Sequence, residues 1–451
     1  MSHADVREQV LDEVLPSDTE AEESRDLFSR IQAFVDDEFD RDAELMGSTA
    51  KETFMAGDKD LDIFVFFPEH VGEEELEEEG LDIGEGVFEE FDGDYQVEYA
   101  EHPYTKGNIE GYEVEIVPAY RVESGEDIKS SVDRTPFHRD WVNDHLSETE
   151  KEEVVLLKAF LRGQDLYGST LRIEGFSGYL CELLIAEYGS VDELLAAAVE
   201  WAGEEVIDPA DHHDQLPARL RDRFEDENLV VIDPVDPDRN VAAVLSRENY
   251  ARFVYSAWRY RQQPSTEFFF PEQSTPGQEE LAEAAEERGD FIVLEFPAPD
   301  LLEDILYPQL RRLQSRLDAL LAEHEFRLRH SGFHVDEDHV RILFELFSAE
   351  LPRTQVHEGP KVFHNEEHVA NFSEAYDQVW VEDTRLTTIV DREFTSAEQL
   401  LVDFLDRDLA AAGVPDNLVN AVAQAEVVEL EFESDDWRRF LRDEFHLGVG
   451  R

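Results

Sequence analysis

Gly47-Ser48-Thr49-Ala50-Lys51, followed by Asp60-Leu61-Asp62-Ile63-Phe64-Val65, is the stretch on which the reading of this chain turns. The apolar run predicts a strand over Asp62–Phe67, and on a strand residues i and i+2 point to the same face. Asp60 and Asp62 therefore aim two carboxylates at one point. Held that close, they repel unless a cation lies between them, and the hard, oxygen-seeking Mg²⁺ of a bound nucleotide is the natural partner. The Gly47-Ser48 turn can offer backbone amides and a hydroxyl to phosphate oxygens, and Lys51 adds a point charge. A bare Asp-x-Asp is a weak signal, because solvated aspartates on an edge strand match it by chance. Specificity comes from the apolar strand running directly out of it and the Gly-Ser turn ahead of it.

A two-metal site needs a third carboxylate from a neighbouring strand. Tyr112–Val117 predicts such a strand: Tyr112, Val114 and Ile116 alternate onto a buried face, which leaves Glu113 and Glu115 on the other. In so acidic a chain that alternation carries little weight by itself.

The acidity has its own reading. The formal net charge is −70 over 451 residues, yet 41% of the residues are hydrophobic and 11% aromatic, which excludes a disordered polyanion. Seven of the 39 basic residues are lysine and the rest arginine. A folded, intensely acidic, lysine-poor chain suits near-saturating salt, where repulsion is screened to within a few ångströms and carboxylates keep the surface hydrated. An extreme halophile is the expected source. A lone cysteine, Cys181, excludes a disulfide framework and a thiolate metal cluster. Met1–Pro16 is charged throughout, with no apolar signal region, and no run approaches membrane-spanning length, so a cytoplasmic protein is expected.

The chain length predicts several domains. Ser17-x-x-Glu20 reads as a capping box ahead of a helix striped by Leu27, Ile31, Phe34 and Val35. Glu73–Glu79 reads as a solvated helix face, with strands near Tyr95–Ala100 and Tyr112–Val117. From Ser147 the pattern turns helical, over Glu148–Arg162, Gly178–Tyr188 and Val191–Ala202. A Gly/Pro/Ser-rich stretch near Gln262–Gly277 marks a boundary. Beyond it come a strand at Phe291–Phe296, a helix over Glu303–His324, and strands at Phe326–Phe333 and Val340–Leu346: a small α+β domain with a helical tail. There are no internal repeats.

Several segments together are recognisable. Gly47–Pro68, Ala-Glu-His-Pro-Tyr at Ala100–Tyr104, Val132–His138, Gly175–Leu184, Asp233–Ala243, Tyr307–Leu310 and Gly359–Pro360 resemble the archaeal, class I CCA-adding enzymes. These are tRNA nucleotidyltransferases of the DNA polymerase β superfamily. The resemblance covers nearly the whole chain and implies an α+β multidomain protein. Its expected domains are a polymerase-β-like catalytic head (1–146), a helical central nucleotide- and RNA-binding domain (147–272), and a small RRM-like α+β domain with a helical tail that binds tRNA (273–451). It also implies template-independent addition of C, C and A to the 3′ end of tRNA from CTP and ATP. Mg²⁺ is the implied cofactor, pyrophosphate the second product, and a homodimer the implied assembly. Asp60, Asp62 and Glu115 would hold the metals. Ser48 and Lys51 would contact the triphosphate, His138, Lys158 and Tyr167 would also bind the nucleotide, and Arg239 would help read its base. The family pattern usually has Glu at position 60, Asp at 115 and Arg at 51; here Asp, Glu and Lys keep the charges but move them.

Read without the family, these positions stay open. Lys158 lies on the apolar stripe Val154–Leu157–Leu161, as a snorkelling or a functional lysine. Arg239 could equally enter a helix beside a capping Asn240, and His138 could be a loop histidine. His364 and His368 have a spacing that can chelate zinc on a helix, but no third ligand is evident and Asn365-Glu366-Glu367 does not match the protease motif. His212-His213 reads as an exposed loop. Arg311, Arg312, Arg316, Arg327 and Arg329 concentrate basic charge, either along a tRNA path or on a polar helix face. Such a protein cannot rely on counterion release in high salt, and the shape recognition of the acceptor and TΨC arms that the resemblance implies suits it better. The rival readings are a poly(A) polymerase or oligoadenylate synthetase on the same head, and a non-catalytic RNA-binding protein; the intact Asp60/Asp62 pair argues against the last.

Overall fold

A serine capping box opens each of the first two helices. In α1 (His3–Val14) Ser2 accepts the Asp5 amide and Asp5 returns the bond; in α2 (Asp18–Phe39) Ser17 and Glu20 do the same. The computed structural model describes residues 2–99, 102–124, 128–213, 215–271, 274–363, 366–432 and 434–448, and divides into two compact units, Met1–Glu272 and Gln273–Arg451.

The first unit carries a five-stranded sheet built from β1 (Asp42–Leu45), β2 (Asp60–Pro68), β3 (Asp94–Tyr99), β4 (Pro103–Ile109) and β5 (Tyr112–Arg121), in the order β1-β2-β5-β4-β3. The β2–β5 pair is parallel and the others antiparallel. A short helix α3 (Gly47–Lys51) links β1 to β2, and α4 (Glu73–Glu90) follows β2. Leu61, Ile63, Val65 and Phe67 of β2 and Val114 and Ile116 of β5 share a core with Leu27, Ile31 and Val35 of α2 and Ile83, Val87 and Phe88 of α4. Period-2 alternation thus sends one face of β2 and β5 into that core, and leaves Asp60, Asp62, Glu113 and Glu115 to the opposite face.

The rest of this unit is mainly helical: α5 (Thr135–His145), α6 (Glu148–Gly163), α7 (Gly178–Tyr188), α8 (Val191–Ala198), α9 (Ala218–Arg223) and α10 (Arg247–Gln262), with a short parallel pair β6 (Glu205–Ile207) and β7 (Leu229–Val231). The N-terminal helix belongs to this second core: Val6, Val10, Leu11 and Val14 of α1 cluster with Val154, Leu157, Phe160 and Leu161 of α6.

In the second unit, α11 (Gln278–Arg288), β8 (Asp290–Pro297), α12 (Glu303–Glu323), β9 (Leu328–Val335) and β10 (His339–Leu346) are followed by β11 (Thr354–Lys361), α13 (Glu366–Ala375), β12 (Trp380–Glu382), β13 (Arg385–Asp391), α14 (Ala397–Leu405), α15 (Val419–Val422), β14 (Glu426–Val428) and α16 (Asp435–Asp443). The antiparallel sheet β14-β8-β10-β9 buries one face against the Leu306/Leu310/Leu313/Leu317 stripe of α12 and the other against Trp437 and Leu441 of α16. A separate three-stranded sheet runs β11-β13-β12.

The expected elements recur, most with ends moved by one or two residues. The Gly47-Ser48 turn is the first turn of α3, and α8 stops at Ala198 rather than Ala202 because the chain tightens into i→i+3 turns at Glu200 and Trp201. Glu73–Glu79 is the start of α4, whose Leu76 is buried beneath the acidic surface. Helix α1, helix α10 and the sheet β11–β13 were not foreseen. Ala100 and Glu101 in the quoted Ala-Glu-His-Pro-Tyr segment, and His364 and Asn365, lie outside the described residues; His368 lies on α13. No helix among the described residues is long and apolar enough to cross a membrane.

Candidate active site

Strand register assembles the carboxylates. Because β2 and β5 run parallel with Asp60 opposite Glu113 and Asp62 opposite Glu115, four acids project from adjacent strands on one side of the sheet. Further along the same face, Phe64, Phe66, Val117 and Ala119 pack with Met46 into a small apolar floor. The loop before β2 is tied to it: the Met46 amide donates to the Asp62 carbonyl (2.7 Å), and Thr49 Oγ1 donates to the Asp60 carbonyl (3.0 Å). Gly47 fits there for two reasons. Its φ is +63°, and a Cβ at that position would stand 1.7 Å from Asp62 Oδ2. Ser48 follows it directly, in the first turn of α3.

This crowding is visible in the electrostatics. Burial first, and then the Glu115 and Asp60 carboxylates, push the Asp62 carboxyl up from 3.8 to about 6. Asp60 is raised by burial and by Asp58 and Glu113. Lys106 of β4, cross-strand from Glu115, reaches Glu115 at 2.9 Å and Glu113 at 2.7 Å. A set of hard oxygen donors whose own charges destabilise one another is the chemistry that accepts a divalent cation. The fit is to the donor set rather than to finished coordination. Among the described residues, the trio whose ligand atoms lie mutually within 4.8 Å is Glu73, Glu77 and His102, not the strand carboxylates.

A second cluster lies across α3, α6 and α7. Glu182 of α7 is fully buried and accepts Lys51 Nζ at 2.6 Å and Thr53 Oγ1 at 2.7 Å. Lys158 of α6 is buried too, and its Nζ donates to the Thr53 carbonyl at 2.7 Å. Burial lowers the Lys158 pKa against the pull of Glu182. The Thr53 bond and the burial keep the Lys158 amino group inside rather than snorkelling. At Gly178, the first residue of α7, a side chain would stand 3.2 Å from the Tyr167 hydroxyl and 3.5 Å from Lys158 Nζ, so Tyr167 and Lys158 converge on one bare stretch of backbone. Burial raises the Tyr167 pKa, keeping a neutral hydroxyl donor.

The third cluster centres on Asp233, which is completely buried. Its carboxylate accepts His138 Nε2 (3.0 Å), Arg239 Nη1 (2.8 Å), the Tyr179 hydroxyl (3.2 Å) and the Val235 amide (2.9 Å). Burial would push its carboxyl up, but the His138 and Val235 bonds and Arg239 hold it down at about 2. His138 is on helix α5, not in a loop, and stacks on Tyr179 at 4.1 Å; Lys51 Nζ lies 5.6 Å from the centroid of the same tyrosine ring. Asn240 caps no helix: it satisfies the Leu229 carbonyl and the Val231 amide.

Every nominated residue of the head and central segments thus falls in one connected region, from Asp60, Asp62 and Glu115 through Lys51 and Tyr179 to His138 and Arg239, with Lys158 and Tyr167 beside Glu182. Lys106, Thr53, Tyr179, Glu182 and Asp233 were missed. Lysine scarcity could have flagged Lys106, since three of seven lysines (Lys51, Lys106 and Lys158) sit here. Nothing local marks Glu182, whose partner Lys51 is 131 residues away.

Comparison with known proteins matches three stretches of the chain to described families. Residues 28–138 match a family model described as nucleotidyltransferase domain, 152–270 one described as tRNA nucleotidyltransferase, second domain, and 288–422 one described as CCA-adding enzyme, C-terminal domain. The CCA-adding enzyme of Methanocaldococcus jannaschii is 36% identical over 420 residues, covering 91% of this chain and 92% of that protein. That of Halobacterium salinarum is 42% identical over 337 residues, covering 74% and 72%. That of Archaeoglobus fulgidus is 36% identical over 404 residues, covering 88% and 89%. A polymerase-β-like head, a helical segment and an α+β C-terminal unit accompany these matches along the chain, which belongs to the archaeal CCA-adding enzymes.

Proposed function

We propose that the chain adds C, C and A to the 3′ end of tRNA from CTP and ATP, releasing pyrophosphate, with Asp60, Asp62 and Glu115 as the metal-holding set. The observation that carries this reading is the parallel register that lays Asp62 beside Glu115, with Gly47 against the Asp62 carboxylate. These three carboxylates would hold Mg²⁺, which would supply activation of the attacking ribose hydroxyl and neutralisation of charge on the triphosphate.

The protein's own groups position the nucleotide. Lys51 has three N–H donors and gives one to Glu182, so a triphosphate oxygen can take another. Lys158 and the Tyr167 hydroxyl flank Gly178, whose missing side chain lets phosphate approach the backbone. Ser48, next to Gly47 in the first turn of α3, adds a hydroxyl. Arg239, its side chain 40% exposed, presents the rest of its guanidinium to the base.

The partition into head (1–146), central domain (147–272) and tRNA-binding C-terminal unit (273–451) follows the same reading. In that last unit Arg327 and Arg329 lie 4.9 and 4.6 Å from the ring centroid of the exposed Phe347, a surface suited to nucleic acid; Arg329 also pairs with the buried Glu345 at 3.3 Å, and Arg316 donates to the Ala412 carbonyl. A cytoplasmic homodimer in a halophile completes the proposal; the relatives in Halobacterium salinarum and Haloarcula marismortui and the −70 charge support the salt adaptation. Incubating the protein in molar KCl with tRNA lacking its 3′ end, and either CTP or ATP, tests the function: base-specific extension supports it, and a homopolymeric tail refutes it.

A further inference from the structure

We propose that Asp233 is a positioning residue for nucleotide choice, holding Arg239 in the one orientation that accepts C and A and rejects U and G. This rests on the function proposed above.

A carboxylate has about four acceptor positions, and all four are filled here: Oδ2 by His138 Nε2 and Arg239 Nη1, Oδ1 by the Tyr179 hydroxyl and the Val235 amide. Asp233 is fully buried, so it touches no substrate. What it does is gather groups from three separate segments: helix α5, helix α7 and the loop after β7. The loop is closed around it, with the Asp233 amide donating to the Arg239 carbonyl at 3.1 Å and the Arg239 amide to Asp236 at 2.9 Å. With Nη1 held on Asp233, the arginine side chain is still 40% exposed. The same bond places a proton on His138 Nε2.

Orientation matters because guanidinium can only donate. Cytosine N3 and adenine N1 are acceptors on the Watson–Crick edge, whereas uracil N3–H and guanine N1–H are donors. A fixed arginine edge meets an acceptor in the first pair and a donor in the second, and such a mismatch is heavily penalised in a shielded site. An arginine free to swing gives up that penalty.

The test measures CMP and UMP incorporation on truncated tRNA, with melting temperatures, for wild type, Asp233→Asn, Arg239→Ala and the double variant. An amide supplies fewer acceptors and turns an N–H toward a donor. Asp233→Asn should therefore raise KM for CTP by about tenfold, leave kcat within about threefold, and erode CTP-over-UTP preference by about tenfold or more. In the Arg239→Ala background it should add nothing further to the loss of preference, as expected for a residue acting through another. If Asp233→Asn does not fold, Tyr179→Phe removes one donor from the same carboxylate and should move KM and preference the same way by a smaller factor. Unchanged preference in a folded Asp233→Asn protein, or losses that add in the double variant, would overturn the proposal. A wild type that adds neither CMP nor AMP would instead sink the function on which it rests.

Discussion

Replacing Asp62 with asparagine is expected to make the cation-free protein more stable and catalytically dead. Burial, then Glu115 and Asp60, lift this carboxyl from 3.8 to about 6. A carboxyl raised in the folded state stabilises the fold while protonated; that contribution is complete below pH 3.8 and is lost as pH rises through about 6. At pH 7.5 the ionised group therefore weighs against folding. The gap from 3.8 to about 6 corresponds to about 3 kcal/mol, an upper bound because water screens part of it. Asparagine keeps the shape and removes the charge. Scanning calorimetry in EDTA at constant molar KCl should show the variant melting higher, by about 1–2 °C for each kcal/mol recovered in a unit as large as Met1–Glu272. Adding Mg²⁺ should raise the wild-type Tm and narrow the gap, since a ligand of the folded state stabilises by mass action. A variant that melts lower than wild type in EDTA, or a wild-type Tm indifferent to Mg²⁺, would refute the reasoning.

Three further outcomes follow from other parts of the molecule. Gly47→Ala puts a methyl where Asp62 Oδ2 now lies and a side chain at φ +63°, so stability should fall by about 1–2 kcal/mol while kcat falls about a hundredfold; equal urea midpoints and equal kcat would count against the geometry. Glu182→Ala strands the Lys51 ammonium beside the buried Lys158, and urea unfolding should show a loss of about 3–5 kcal/mol, largely recovered when Lys51 is also replaced by Met. Lowering KCl from molar to below decimolar should unfold or inactivate the protein as repulsion among 109 acids returns; a Tm unchanged over that range would remove the salt adaptation.

How much of this was legible in the sequence depends on range. Period-2 alternation around Asp60–Phe67 and Tyr112–Val117 was enough to place two strands and say which faces bear the acids, because alternation is a local property. That the two strands are parallel neighbours, with Asp62 opposite Glu115, is a pairing across 53 residues that no local pattern encodes. The resemblance, not the periodicity, nominated Glu115. Helix α1 escaped notice because its charged residues hide the Val6/Val10/Val14 stripe that packs on α6. Asp233 and Glu182 looked like two more acids in a chain full of them. Only burial distinguishes them from the solvated ones, and burial is set by the tertiary fold.

Single-nucleotide incorporation on three tRNAs, ending before the first C, after the first C and after the second C, tests the central claim most directly. In molar KCl with Mg²⁺, the account predicts CMP addition to the first two, AMP addition to the third, and none of these from Asp62→Asn. Growth of an unlimited A tail, or Asp62→Asn activity within about tenfold of wild type, would contradict it.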